Sequence, residues 1–172
     1  MDNIIVVIIK LYEKIRHQDV VNIDSELNDI IDFLNTNIKE CHCEYDYAYS
    51  EDDYDHRSFE IITTDGMSVT SDYPPFDDDG LQLIMSFVDI TKYRGESYPS
   101  YPMDNAIRLL GYPDKLIAYV DWIMFTCYDD EFDIDELINE SVKRGYGEST
   151  MALIRWKKES FPSDDDLPAF RL

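Results

Sequence analysis

Positive charge is scarce in this sequence. Its 172 residues include 15 Lys and Arg against 37 Asp and Glu, a formal net charge of −22. Nucleic-acid binding draws on cationic side chains that displace counterions from phosphate. The densest basic cluster is Arg155, Lys157 and Lys158, with Lys143 and Arg144 upstream, and it lies in segments that are themselves acidic. Direct binding to DNA or RNA is therefore not expected. Glycine is also sparse, with six residues, and none falls in G-x-x-x-x-G-K-[ST], G-x-G-x-x-G or G-x-S-x-G. That removes the sequence marks of a phosphate-cradling loop and of a hydrolase nucleophile elbow. The histidines, His17, His42 and His56, lie in no recognisable context with a serine or cysteine nucleophile. Cys41, Cys43 and Cys127 are an odd number at no disulfide-framework density, which fits a reducing compartment. Long apolar runs are missing too. The stretch from Ile4 to Ile9 is far short of the roughly 20 residues a bilayer span needs. Without a basic leader or a small-residue cleavage site it does not read as a signal peptide. The expectation is no membrane association and a cytoplasmic location, in a bacterial host cell if the gene is phage-encoded.

What the sequence does hold is material for a core, 44% hydrophobic residues. A chain of this length can bury roughly two-thirds of its unfolded surface. Its patterning predicts an α+β fold: a mostly helical single domain, 1–172, with a small antiparallel three-stranded sheet at about 39–49, 57–64 and 67–72. The expected organisation is helical over 1–38, an acidic β-meander over 39–80, helical again over 81–162, and a short acidic tail over 163–172. Ile4, Ile5, Ile8, Leu11, Tyr12 and Ile15 form one face of a helix over 3–16, widened by Val6 and Ile9. Leu27, Ile30, Ile31, Leu34 and Ile38, with Ile23, do the same over 24–38, capped by Asp24 or Ser25. From Lys39 the period changes to two: Cys41, Cys43, Tyr45, Tyr47 and Tyr49 against Glu40, His42, Glu44 and Asp46. Asp65-Gly66 suits a type I′ hairpin turn. Tyr73 to Gly80 reads as a loop. Residues 81–93 fit both periods, with helix favoured and Gly95 beyond its end. Asp104 is expected to cap a short turn to Leu110. Pro113 then opens a helix whose face runs to Cys127. Asp133 and Glu136 resemble a capping box, with Gly145 at the helix end. A last helix covers 149–160, before Pro162.

The acidity is uneven. Residues 41–100 hold 3 basic and 14 acidic side chains, net −11. Same-face residues on a strand lie about 6.8 Å apart. Phosphates advance about 3.4 Å per nucleotide along the DNA axis, and winding separates them further. Carboxylates at Glu40, Glu44 and Asp46, joined by Glu51, Asp52, Asp53 and Asp55, could therefore stand at a phosphate-like pitch. The bland alternative is the solvated outer face of a sheet. Asp77, Asp78 and Asp79 add a second acidic group. Asp129, Asp133, Glu136 and Glu140 recur at helical spacing as a stripe whose like charges repel. Asp133 and Glu136 have a structural reason to be there, since a helix N-terminus favours anions. Thirteen tyrosines are many. Tyr45 and Tyr47 suit a sheet face, whereas Tyr54, Tyr98 and Tyr101, in expected loops, suit an interface.

No cofactor and no dedicated metal site is expected. The aspartate runs lack the alternating ligands of a calcium loop. On a strand, His42 points away from Cys41 and Cys43, so the three do not form a zinc set, and the two cysteines read as core. Ordinary solubility needs a net charge of only about 2–8. The excess points to a basic protein partner recognised through ion pairs and cation–π contacts. The leading expectation is a non-enzymatic inhibitor of a nucleic-acid-handling protein, such as a nuclease or guide-RNA effector. It could act as a DNA mimic, as phage counter-defence proteins of the anti-CRISPR and antirestriction kinds do. That likeness rests on charge and not on motifs. The alternatives are an immunity protein neutralising a cognate toxin, and a metal-dependent hydrolase built on the Asp clusters.

Overall fold

The computed structural model describes residues 3–22, 24–46, 56–72, 74–95, 100–127 and 132–162, and for 44–46, 56–57 and 126–127 it describes the backbone alone. The architecture is α+β and mostly helical. Helices α1 (Ile4–Ile15) and α2 (Ser25–Asn37) lead into strands β1 (Ile38–Asp46), β2 (His56–Thr63) and β3 (Ser68–Asp72). Then come α3 (Asp78–Val88), a 3-10 turn (Ile90–Lys92), α4 (Pro102–Arg108), α5 (Pro113–Trp122), α6 (Ile134–Lys143) and α7 (Gly147–Ser160). The strands form one antiparallel sheet in the order β1-β2-β3.

Local chemistry accounts for most element starts. Asn3 caps α1 by accepting from the Ile5 amide at 2.9 Å, and Asp24 caps α2 by accepting from the Leu27 amide at 2.7 Å. The buried face of α1 is Ile4, Val7, Ile8, Leu11 and Ile15. Val7 thus belongs to the core, while Val6, expected to widen the stripe, is exposed. Asp133 caps α6 by accepting from the Asp135 and Glu136 amides, and Gly145 follows the helix at φ 82°. Pro113 opens α5 at its first position.

Four expectations are corrected. First, the segment up to Gly80 is not all loop: Asp77 accepts from the Gly80 amide at 3.0 Å and starts α3. Aspartates there are favoured by the dipole of the helix they open. Second, Asp104 is not a cap. Pro102 starts α4, and Asp104 sits in its first turn. Third, the β2–β3 connection is not a two-residue type I′ turn. The Gly66 amide donates to the Thr63 carbonyl at 2.9 Å and the Thr63 amide to the Met67 carbonyl at 2.8 Å, with Gly66 at φ 88°. That is a longer turn closed by one left-handed glycine. Fourth, the helix opened by Pro113 does not keep its period to Cys127. It widens into a π-helical turn over Ile123–Cys127, and Phe125 is left exposed.

Helix α3 is the centre of the molecule. It touches α1, α2, β1 and α5. Every residue from Gly80 to Val88 is buried, including Gln82 and Ser86. The Ser86 hydroxyl donates to the Leu83 carbonyl at 2.6 Å, and the Gln82 amide donates to the Tyr93 hydroxyl at 3.2 Å. A helix covered all round has no polar face to set its period. That is why residues 81–93 fit helix and strand alike in the sequence. Gly80 is required by a close approach, since a Cβ there would stand 2.5 Å from the Phe76 Cβ. The sheet lays one face on this core. Cys41, Phe59 and Ile61 are fully buried, and Cys43 and Val69 are half-buried against them.

Candidate acidic interaction surface

The expected acidic residues fall into three places. The first is the outer face of the sheet. Glu40 and His42 of β1 alternate with the core-facing Cys41 and Cys43, as the period-two pattern requires. Glu60 of β2 pairs in register with His42, and Thr70 of β3 pairs with Glu60. The Glu60 carboxylate lies 3.9 Å from the His42 imidazole and accepts from the Ser68 hydroxyl at 2.7 Å. Glu40 lies 3.5 Å from the Arg94 guanidinium. Glu44 and Asp46 occupy the next same-face register positions, opposite Ser58 and His56, and their side chains lie outside the described residues. So do Glu51, Asp52, Asp53, Tyr54 and Asp55 of the following loop. Glu60 was missed in the sequence, although it stands between the core residues Phe59 and Ile61 and so had to face outward.

The second place is the start of α3. Asp77 is its cap. Asp78 accepts a short hydrogen bond from the Tyr93 hydroxyl, and Asp79 accepts from the Ser100 amide at 3.1 Å. Burial and the Asp78 carboxylate together push the Tyr93 hydroxyl pKa well up, burial contributing most. All three aspartates therefore hold the fold together locally. Asp77 and Asp79 also line a cavity of about 240 Å³ with Tyr101, Asp104, Arg16 and Arg108. Tyr101, expected at an interface, is 67% exposed beside it. The two guanidiniums are already engaged. Arg16 lies 5.4 Å from the Tyr12 ring centroid and 3.5 Å from Glu13. Arg108 donates to the Gln18 and Arg16 carbonyls and to Asn105, at 3.1 to 3.2 Å. The Asp104 carboxylate has no hydrogen-bond or ion-pair partner among the described residues.

The third place is α6, and here the expected stripe breaks up. Asp133 is spent as a cap, and Glu140 lies 3.0 Å from Arg144, which also holds Asp19. Glu136 stays exposed in the first turn. Asp129 lies outside the described residues, as do Tyr98 and the 163–172 tail. The structure thus brings together Asp77, Asp79 and Tyr101, leaves Glu40 on the sheet face, and keeps the α6 acids as a separate group. Much of the sparse positive charge is tied up internally. Lys10 and Lys14 both reach Glu26, at 3.0 and 3.1 Å, and their hydrogen bonds hold its carboxyl below the usual range. Lys115 donates to the Val88 carbonyl at 3.1 Å, and Lys157 pairs with Asp135.

Among the described residues, no group of three or more His, Cys, Asp or Glu side chains converges closely enough to hold a metal ion. Cys41 is buried with its thiol pKa pushed well up, chiefly by desolvation. No helix among the described residues is long and apolar enough to cross a membrane. No known protein family, no curated protein and no solved structure is significantly similar to the chain.

Proposed function

We propose that the protein is a non-enzymatic acidic inhibitor that binds a basic, nucleic-acid-handling protein, placing carboxylates where that partner expects phosphates. The observation that carries this reading is the charge: a net −22, half of it within residues 41–100. A potential of that size steers cationic partners toward the surface and exceeds what solubility requires. Two features of the fold support it. Glu40 and Glu60 face outward on neighbouring strands, with Glu44 and Asp46 at the next same-face positions of β1. Several lysines and arginines are already paired internally, which leaves the acidic excess to face solvent. Such an inhibitor would work in the compartment of its target, the cytoplasm of a bacterial host cell if the gene is phage-encoded.

The test is a titration against a panel of basic nucleases and guide-RNA effectors at low salt and again at about 0.5 M, where the Debye length shrinks below about 5 Å. Binding to at least one member is expected, with competition by DNA and a steep loss at high salt. No binding to any basic protein at low salt would sink the proposal. A basic toxin would satisfy the same charge argument, and binding confined to one such toxin would identify an immunity protein instead.

A further inference from the structure

Beyond charge, the sheet has an outer edge to which no strand among the described residues pairs. β3 is the outer strand, and its sequence, Ser68-Val69-Thr70-Ser71-Asp72, contains no proline or lysine. Its pairing with β2 runs without a register break from Ile62–Ser68 to Ser58–Asp72. Natural edges are usually blunted by such residues or by bulges. The Thr63–Met67 hydrogen bond fixes the phase of the ladder. Val69 and Ser71 therefore bond toward β2, and Ser68 and Thr70 direct their backbone N–H and C=O groups outward. Among the described residues, those outward groups have no hydrogen-bond partner.

Beside this edge lies an apolar groove. One part, about 490 Å³, is lined by Ile4, Phe33, Met67 and Val69, and it shares Asn3 and Phe33 with a second part of about 540 Å³ along α1 and α2. Met67, lining the first part, and Val6, lining the second, are 61% and 59% exposed. Val69 points into it from the core side of β3. The opposite face of the same strand carries Ser68, hydrogen-bonded to the Glu60 carboxylate.

We propose that the β3 edge and this groove form a docking site for an extended segment of a partner protein, added as a fourth strand, with apolar residues alternating with Lys or Arg. The open backbone groups select an extended chain. Strand alternation then sends every second side chain into the groove and the others over the acidic face. The occupant is not a second copy of this chain: two molecules of charge −22 repel, and β3 offers no cation to meet Glu60 or Asp72 of another copy. Phosphate mimicry requires no strand edge, so this site stands or falls separately from the inhibitor reading.

The probe is a labelled peptide of about seven residues alternating Lys and Val, compared by fluorescence anisotropy with the same residues in block order. At about 0.5 M salt, where charge alone is screened, the alternating peptide should bind about tenfold more tightly than the block isomer. Thr70→Pro removes an outward N–H without breaking a β2 bond, and should cut that preference below about twofold while the melting curve holds. Met67→Lys, at an exposed position, should weaken the alternating peptide selectively and serves if Thr70→Pro misfolds. Equal binding of the two peptides, or a preference that survives both substitutions, overturns the proposal. So does self-association of the wild type that Thr70→Pro abolishes, since the edge would then belong to a second copy.

Discussion

Two buried tyrosines show how one substitution changes sign with its surroundings. Tyr93 donates to Asp78 and accepts from Gln82, tying the turn after α3 back to the start of that helix. Tyr112 packs edge-on against Phe87 at 5.4 Å, and its buried hydroxyl has no hydrogen-bond partner among the described residues. Removing a bonded hydroxyl strands its partner, whereas removing an unbonded one relieves a desolvation cost. Tyr93→Phe should therefore lower stability by about 1–3 kcal/mol, and Tyr112→Phe should leave it unchanged or raise it by up to about 1 kcal/mol, in urea denaturation. The same burial governs the alkaline limb. Desolvation pushes Tyr112 up to about 12 and Cys41 and Tyr93 further above their ordinary values of 9.0 and 10.0. A raised folded pKa gives stability that is whole below the unfolded value and is lost as pH climbs past it. Unfolding midpoints should thus fall from about pH 9 upward, and less steeply in Tyr112→Phe. Lys115, lowered by burial, works the other way over the same range and softens the fall. At neutral pH the Cys41 thiol should resist alkylation until the chain unfolds, which peptide mass mapping would read.

Elements differ in how far the sequence announced them. α1, α2 and α6 were readable because each is covered on one side, which leaves a polar face to reveal the period. The sheet was readable for the same reason, through Cys41 and Cys43 against Glu40 and His42. α3 is helical as favoured, yet its period was ambiguous, because burial on every side erases the contrast between its faces. A run of three acids before a glycine looks like loop, and only the Asp77 cap and the Tyr93 bond to Asp78 show them to be helix-starting residues. The π-helical turn left no mark in the sequence at all. Of the candidate surface, single strand residues could be placed from alternation, but the meeting of Asp79, Tyr101 and Asp104 at one cavity depends on where the fold sets the starts of α3 and α4. Two substitutions probe these elements. Gly80→Ala forces a Cβ against Phe76 and should cost about 1–3 kcal/mol despite the better helix propensity of alanine. Asp133→Ala removes the acceptor of two α6 amides and should cost about 1 kcal/mol, with α6 fraying first in hydrogen exchange.

For the whole molecule, electrostatics opposes compactness. A charge of −22 repels itself, and the ion pairs that offset it, such as Arg94–Glu40 and Lys10–Glu26, are largely exposed. Exposed pairs contribute little each. Added salt should therefore raise the melting temperature up to a few tenths molar, because screening relieves more repulsion than it removes attraction. Millimolar Mg²⁺, Mn²⁺ and Ca²⁺ should stabilise to similar, non-saturating extents. A saturable shift selective for one metal would instead favour a metal-dependent hydrolase. The central place of α3 also bears on how the protein is made. Its packing partners lie on both sides of it in the chain, with α1, α2 and β1 synthesised before it and α5 after. While α5 is still inside the ribosome, the apolar run Leu83–Val88 has emerged only half-covered. The centre of the nascent protein can therefore close only once Trp122 has cleared the exit tunnel.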